Sequence, residues 1–331
     1  MKKVLLLLIV CVIVGCVSEN RYHIDETINP TDTIMYLKND MSLLSAVVFN
    51  DFGDIGLFRK GRKFGIHKKW YYDGNLKESI EYSNNQLNGL KKKWGSDGYL
   101  VLLENYKYNQ LDGISKYYND EGKIIDEIIF EKSDTIRETK YKYLFRGEID
   151  EIINTKNGNL DGVQKDWWYR SNQLRSEVNY KDDKLNGLSK FWNEIGQSDY
   201  ESNYKDGKLD GLQKRWYENG QLMSEVNYKD DTLNGFERYW YENGQLQYEW
   251  NYKDGKAYGA FRKWYENGQL QYEYNYNEYK VDGVYREWYE NGQLKMEGNY
   301  KDDKEDGLHK NYYENGQLMS EKNFKDGKLI E

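Results

Sequence analysis

The chain has 331 residues, a net charge of -8 and a mean hydropathy of -1.01. A chain this hydrophilic is not expected to bury a conventional hydrophobic core. Many of its hydrophobic residues are aromatic, with 33 Tyr and 10 Trp, and these rings can be ordered while partly exposed to solvent. The negative charge also disfavours a nucleic-acid partner, because non-specific affinity for nucleic acid comes mainly from Lys and Arg at phosphates.

The first residues have the pattern of an export signal. Lys2 and Lys3 form a basic start, and residues 4–14 form an apolar stretch too short to span a bilayer. The tetrapeptide Ile-Val-Gly-Cys at residues 13–16 resembles a bacterial lipobox. We therefore predict that residues 1–15 are a lipoprotein signal peptide and that acyl chains such as palmitate on Cys16 anchor the mature chain to a membrane. No Asp follows Cys16, so we expect a cell-envelope address, at the outer membrane if the cell has two. The alternative is an ordinary secretory signal with an incidental cysteine.

Residues 16–57 precede the repeats and are predicted to form a leader and an N-terminal cap. A cap is expected because the end of a repeat array otherwise exposes a surface meant for a neighbouring repeat. The weakly amphipathic run in this segment is compatible with either helix or strand. Its apolar residues are Ile34, Leu37, Leu44, Val47 and Val48.

An internal repeat of 24 residues dominates the rest of the chain. One copy, beginning at Gly211, reads GLQKRWYENGQLMSEVNYKDDTLN. Residues 58–331 are predicted to hold about eleven such repeats, ten of them clear. The leading glycine of the clear repeats is Gly65, Gly89, Gly113, Gly162, Gly187, Gly211, Gly235, Gly259, Gly283 and Gly307.

Two turn signals in each repeat predict two strands. One signal is Asn-Gly, as at Asn219-Gly220, and the other is Asp-Gly or Asp-Asp, as at Asp206-Gly207. Both suit type I′ hairpin turns, which need positive φ at both central residues. We therefore predict an all-β fold, an elongated single-layer meander of antiparallel β-hairpins with about 22 strands. The predicted pairs around the first turn are Lys214 with Glu225, Arg215 with Ser224, Trp216 with Met223 and Tyr217 with Leu222.

One face of the predicted sheet repeats the same residue types. Lys or Arg stands three residues after each leading glycine, Trp or Tyr stands five residues after it, and Glu recurs opposite the basic row. Opposite charges across a strand pair contribute roughly 0.2–1 kcal/mol each and disfavour register slips. We predict a structural ladder on this face. Its representative residues are Lys214, Trp216, Glu225, Arg238, Trp240, Glu249, Arg262, Trp264 and Glu273.

The opposite face varies from repeat to repeat and turns aromatic between Tyr239 and Tyr285. The predicted register places Tyr239 opposite Tyr248, Tyr248 opposite Phe261, Phe261 opposite Tyr274 and Tyr272 opposite Tyr285. A patch of this size on a soluble surface usually marks a contact. The alternative is that cross-strand aromatic pairs stiffen a sheet without a second layer. The candidate binding patch comprises Tyr239, Tyr248, Trp250, Phe261, Tyr272, Tyr274 and Tyr285.

No catalytic or metal site is predicted. His23 lies in the leader, and His67 and His309 are expected to be exposed strand side chains. No metal-ligand Cys/His spacing, nucleophile elbow or phosphate-binding glycine loop is present in the sequence. The Glu residues of the ladder face basic residues, which keep them ionised. We therefore expect no cofactor, no metal and no enzymatic activity.

The pattern W-Y-E-N-G-Q-L-x-x-E-x-N-Y-K-D-G-K-x-D-G resembles the MORN-variant (MORN_2-type) repeat, over about residues 58–331. Bacterial proteins with this repeat are often labelled YwqK-family antitoxins of toxin–antitoxin systems. The resemblance implies an antiparallel meander that serves as a scaffold for protein or lipid contacts. Together with the lipobox, it favours a membrane-anchored scaffold that binds another protein or a cell-envelope polymer. The alternative function is an antitoxin or immunity-type protein that neutralises a toxin by direct binding.

Overall fold

A computed structural model describes residues 20–28, 34–144, 147–277 and 279–330. Those residues are all-β, as predicted, with 34 strands and one short 3-10 helix, Ile24–Glu26. The helical structure in these ranges is a single short turn, so none of the described helices could span a bilayer. The chain divides after Tyr141 into two compact units, called the N-terminal unit and the C-terminal unit.

The N-terminal unit begins with short strands and continues as repeat hairpins. Its strands are β1 (Arg21–His23), β2 (Thr27–Ile28), β3 (Tyr36–Leu37), β4 (Ala46–Asn50), β5 (Gly53–Arg59), β6 (Arg62–Trp70), β7 (Leu76–Ser83), β8 (Gln86–Trp94), β9 (Leu100–Lys107), β10 (Gln110–Leu111), β11 (Gly113–Tyr118), β12 (Ile124–Glu131) and β13 (Asp134–Tyr143).

Residues 20–57 form strands and loops around a small hydrophobic core. β1 lies parallel to β4, β4 and β5 are antiparallel, and β2 pairs with β3 in a separate two-stranded sheet. The remaining neighbours up to β13 are antiparallel, as a hairpin meander requires. The buried side chains of the core are Met35, Leu44, Ala46, Val48 and Phe58.

The C-terminal unit is an antiparallel meander in which each long strand pairs with the next long strand, and each two-residue strand pairs with the strand before it. Its strands are β14 (Ile149–Lys156), β15 (Asn159–Leu160), β16 (Gly162–Trp167), β17 (Leu174–Lys181), β18 (Lys184–Leu185), β19 (Gly187–Trp192), β20 (Ser198–Lys205), β21 (Lys208–Trp216), β22 (Leu222–Lys229), β23 (Thr232–Trp240), β24 (Leu246–Lys253), β25 (Lys256–Ala257), β26 (Gly259–Trp264), β27 (Leu270–Asn277), β28 (Lys280–Val281), β29 (Gly283–Trp288), β30 (Leu294–Lys301), β31 (Lys304–Glu305), β32 (Gly307–Tyr312), β33 (Leu318–Lys325) and β34 (Lys328–Leu329).

The two turns of each repeat differ in type. At Asp206-Gly207 φ is positive at both residues (51° and 89°), which is the predicted type I′ turn. At Asn219-Gly220 φ is positive only at Gly220 (84°), and Tyr217 N–H donates to the carbonyl oxygen of Gln221 at 2.8 Å. The type I′ prediction is therefore wrong for Asn-Gly, which belongs to a three-residue loop ending in a left-handed glycine.

The longer loop changes the pairing next to it. The predicted pairs Lys214–Glu225 and Arg215–Ser224 are present, but the register then shifts and Trp216 lies opposite Leu222. The predicted pairs Trp216–Met223 and Tyr217–Leu222 are wrong because Met223 is the extra residue of a β-bulge.

A second bulge lies at the leading glycine. Tyr252 is opposite Ala257 before the bulge, whereas Tyr248 is opposite Lys263 after it, a shift of two residues. Gly259 lies between these pairs with φ of 76°, a conformation that interrupts the regular ladder. Six predicted strands are each split into two here, β1–β5 add five more and the terminal β34 adds one, so the described residues hold 34 strands rather than about 22.

Candidate binding site

Alternation along the strands of the C-terminal unit creates two different surfaces. The ladder face carries the alternating basic and acidic residues around Arg238 and Glu249. The tyrosine face carries the tyrosine that occurs once in each repeat, together with the variable positions. The tyrosines that define it are Tyr180, Tyr204, Tyr228, Tyr252, Tyr276 and Tyr300.

The ladder face is a chain of ion pairs that crosses from repeat to repeat. Glu249 accepts hydrogen bonds from Arg238 Nε at 3.2 Å and from Arg262 Nη1 at 3.1 Å. Arg262 Nε also donates to Glu273 at 3.0 Å. Hydrogen bonds to Glu273 and Glu249 raise the pKa of the Arg262 guanidinium, so this pairing is electrostatically favourable. Further pairs join Lys190 to Glu201, Lys214 to Glu225 and Lys310 to Glu321.

Side chains at the Asn-Gly turns bind each repeat to the next. The Tyr217 hydroxyl donates to the backbone oxygen of Trp240 at 2.7 Å, and Asn219 Nδ2 donates to that of Glu242 at 3.0 Å. The same contact joins Tyr241 to Trp264 at 2.9 Å. Sequence reasoning missed these bonds. The W-Y-E-N-G segment recurs in successive repeats, although hydrophobic alternation requires neither its tyrosine nor its asparagine. This recurrence could have indicated that the two side chains make structural hydrogen bonds.

All seven residues of the candidate patch lie on the tyrosine face. Tyr239 is opposite Tyr248, with ring centroids 4.7 Å apart and stacked. Phe261 is opposite Tyr274, with centroids 4.8 Å apart. Both pairs match the predicted register.

The two predicted pairs that cross a leading glycine are wrong. Tyr248 lies opposite Lys263 and Tyr272 lies opposite Glu287, because the bulge at the glycine shifts the register. Tyr248 and Phe261 are therefore diagonal neighbours, 6.5 Å apart, and so are Tyr272 and Tyr285, 6.4 Å apart.

Trp250 contacts three other rings of this face, as Phe261 and Tyr274 also do. The Trp250 centroid lies 5.0 Å from Phe261, edge to face, and 5.7 and 5.6 Å from Tyr252 and Tyr276. Sequence reasoning assigned Tyr252 and Tyr276 to the repeat pattern and left them out of the patch. From here on, the aromatic cluster means Tyr239, Tyr248, Trp250, Tyr252, Phe261, Tyr272, Tyr274, Tyr276 and Tyr285.

Burial favours the protonated form of several phenols in the cluster. It is the main cause that raises the pKa of Tyr248, Tyr274 and Tyr285 well above the usual value. Phe261 is 8% exposed, whereas the tyrosines are half-buried. The indole N–H of Trp250 is buried without a hydrogen-bond partner, which is uncommon in a folded protein. The cluster thus offers ring surface and phenolic hydroxyls, a combination enriched at interfaces.

The prediction that His67 and His309 are exposed is wrong. They are 7% and 3% exposed, each ring packs against a tyrosine of its own unit, and each Nε2 donates to a backbone oxygen at 2.9 Å. Each ring fits because a glycine faces it. A Cβ at Gly56 would lie 2.4 Å from His67, and one at Gly298 would lie 2.3 Å from His309. In the sequence, burial of His309 could have been inferred from Gly298, because other repeats have larger side chains at this position.

The remaining predictions concern the lipidation site and metal binding. Cys16 and the signal peptide lie outside the described residues. Within residues 20–28, 34–144, 147–277 and 279–330, no group of three or more His, Cys, Asp or Glu is placed to hold a metal ion.

Comparison with known proteins identifies the repeat. The model of the family described as MORN repeat variant matches eight segments, which together cover more than half of the chain: residues 65–84, 111–132, 160–182, 209–230, 233–254, 257–278, 281–302 and 305–326. No curated protein matches the chain.

Solved structures similar to the chain include a crystal structure of TcdB2-TccC3. The TM-score is 0.25 and the identity 11%, over 81% of this chain and 18% of that one. A Photorhabdus luminescens Tc holotoxin pore with a mutated TccC3 gives a TM-score of 0.22 and 12% identity, over 86% of this chain and 16% of that one. The chain therefore spans less than a fifth of the length of these structures.

Proposed function

The chain belongs to the MORN repeat variant family, and from this premise we propose that it is a binding scaffold anchored to the cell envelope rather than an enzyme. The aromatic cluster carries the proposal. Its rings occupy one face of β23–β29, and every element described in the C-terminal unit is a strand of the same sheet, so the described residues of this unit form no second layer over them.

The distribution of constant and variable residues supports a contact role for the tyrosine face. Ion pairs of the ladder face and the turn hydrogen bonds recur in successive repeats, as a structural framework requires. The variable positions of the tyrosine face include serine at Ser202 and Ser224 but Trp at Trp250 and Tyr at Tyr274. A change confined to one face alters what the surface recognises while leaving strand pairing intact.

The proposed address rests on the sequence at Cys16. Each methylene buried in a membrane contributes about 0.8 kcal/mol, and two acyl chains hold a protein there stably. An anchored scaffold meets other envelope proteins and envelope polymers, and these are the proposed partner classes. An antitoxin-type inhibitor is the alternative, and it would use direct binding as well.

Photo-crosslinking on intact cells tests this function. Tyr272 is replaced by p-benzoylphenylalanine, which preserves an aromatic ring in the cluster. The matched control replaces Asn275, an exposed residue of the same strand on the ladder face. We expect a discrete adduct from position 272 only, and mass spectrometry then distinguishes a protein partner, including a toxin, from a glycan. Adducts from position 275 alone, from both positions equally or from neither would contradict the proposal.

A further inference from the structure

We propose that the C-terminal unit holds a second site, a cavity between β14 and β20 that binds one ring of a neutral sugar. The cavity measures about 430 Å³, within the range of roughly 300–1,000 Å³ typical of small-molecule sites. Its lining runs from Glu151 to Tyr204 and shares no residue with the aromatic cluster, so the site goes beyond the function proposed above.

The cavity exists because small side chains replace large ones on the tyrosine face. Ser176 and Ser189 occupy variable positions that carry rings further along the chain, as at Tyr248 and Phe261. The two serines are 6% and 1% exposed, at the base of the cavity. The tyrosine face is therefore filled by aromatic rings on β23–β29 and leaves a cavity on β14–β20.

One polar atom of the lining has no partner within the protein. The Ser189 hydroxyl oxygen is buried and makes no hydrogen bond, whereas the Ser176 hydroxyl donates to Asp166. A buried hydroxyl without a hydrogen bond destabilises the folded state. A ligand hydroxyl in the cavity would supply the missing hydrogen bond. Ser115 and Ser202 also have buried hydroxyls without a partner, but of the three only Ser189 lines this cavity, and there its hydroxyl points to a polar ligand.

The remaining lining matches the two surfaces of a sugar ring. Tyr180, Phe191 and Tyr204 supply flat apolar walls for the C–H groups of the ring. Burial is the main cause that raises the pKa of Tyr204 to about 12, so its hydroxyl remains protonated at neutral pH. Glu151 and Asp166 supply carboxylate oxygens, which accept hydrogen bonds from several hydroxyls.

The charges of the lining favour a neutral ligand. Glu151 is paired with Lys142, and Asp166 with Arg175, and neither cation lines the cavity. Among the residues that the structure describes, the charged side chains of the lining are therefore two carboxylates, each paired with a cation outside the cavity. A cationic ligand gains little from such pairs, and an anionic ligand meets two carboxylates.

Saturation-transfer difference NMR and calorimetry test the site on the full mature chain. The probes are glucose, galactose, mannose and N-acetylglucosamine at millimolar concentration, with glucuronate as the acidic comparison. We expect at least one neutral sugar to bind and glucuronate to bind more weakly. Binding of none of the four, or tighter binding of glucuronate, would overturn the proposal.

Two serine variants give a matched comparison. Ser189→Ala should weaken binding about threefold to tenfold, the effect of one lost hydrogen bond. Ser202→Ala should leave it unchanged, since Ser202 lies opposite Ser189 and is as deeply buried but does not line the cavity. Ser189→Leu, with folding checked by circular dichroism, should abolish binding by filling the cavity. Equal effects of the two alanine variants would show that Ser189 acts through stability alone. The crosslinking experiment at Tyr272 uses neither the sugars nor the serine variants. A negative result in one experiment therefore does not decide the other proposal.

Discussion

Single residues of the repeats bury polar rings without charging them. His67 packs edge to face between Phe58 and Tyr82, with centroids 4.9 and 5.3 Å away, and its Nε2 donates to Leu57. Its Nδ1 has no partner. Protonation would place a second N–H and a charge in this apolar surrounding. Burial accordingly lowers the pKa of His67 to about 4.

This pKa predicts an acid-sensitive step in stability. His67 remains neutral in the folded chain between pH 6.5 and about 4, whereas the unfolded chain takes up the proton. Stability from this residue is therefore complete above pH 6.5 and is lost as the pH falls toward 4, by up to roughly 3 kcal/mol. His67→Phe should keep more of its stability over that interval than the unmodified chain in urea titrations. Identical pH profiles for the two proteins would contradict the assignment.

The turn hydrogen bonds give a second prediction at the residue scale. Tyr241→Phe removes only the hydroxyl that donates to the backbone oxygen of Trp264 at 2.9 Å. We expect the free energy of unfolding to fall by about 1 kcal/mol. Tyr72→Phe is the control because the Tyr72 side chain is fully exposed, and this variant should unfold as the original does. Equal urea midpoints for all three proteins would show that the turn bond contributes nothing.

Hairpins are the elements of this fold, and ion pairs connect them in register. Arg262 bridges Glu249 on one neighbouring strand and Glu273 on the other. A slip of one residue would move these side chains to the opposite face, so the ladder opposes misregistration. Because the Arg262 side chain is 40% exposed, its stabilising contribution is modest and sensitive to salt.

Replacement of Arg262 tests the ladder. Arg262→Met should reduce the free energy of unfolding by about 1 kcal/mol at low ionic strength, and by less in concentrated NaCl. The control is Lys68→Met, at the same position of the first clear repeat, where Ser79 rather than a carboxylate lies opposite. Its effect should be small and independent of salt. Thermal unfolding at several salt concentrations measures both, and a salt-independent loss at Arg262 would contradict the ion-pair explanation.

Much of this element structure follows from the sequence, and the departures have identifiable causes. The 24-residue repeat with its two turn signals predicted the all-β fold, and alternation along the strands predicted pairs such as Lys214–Glu225. Bulges were not predictable from alternation, since the unpaired residue Met223 and the residues at Gly259 look like ordinary strand positions. The missed bulges misplaced the partners of Tyr248. Burial of His309 depended on space at Gly298, a relation between two strands that a single-strand pattern does not show.

At the scale of the whole molecule, the proposed anchor and the proposed binding surface are separate in sequence. The lipid would be attached at Cys16, whereas the aromatic cluster begins at Tyr239. A defect in one should therefore leave the other intact. This separation lets membrane attachment and partner binding be tested in different variants.

Attachment is tested by Cys16→Ala. Without the thiol no acyl chain is added, so we expect the protein to leave the membrane fraction and to lose incorporation of labelled palmitate. Purified Cys16→Ala protein should still bind the partner identified by crosslinking. Continued membrane association of this variant would contradict the lipid anchor.

The central claim, that the aromatic cluster is the binding surface, is tested most directly by measuring partner affinity after changes on each face of the same strands. Tyr248, Phe261 and Tyr274 are changed together to Thr, which retains β-propensity. The matched control changes Asn251, Ala260 and Asn275 to Thr, on the ladder face of β24, β26 and β27. The claim predicts that the first variant loses affinity for the crosslinked partner while remaining folded by circular dichroism, and that the control binds as the original does. Unfolding of the first variant without a selective loss of affinity, or an equal loss in the control, would contradict it and favour a purely stiffening role for the rings.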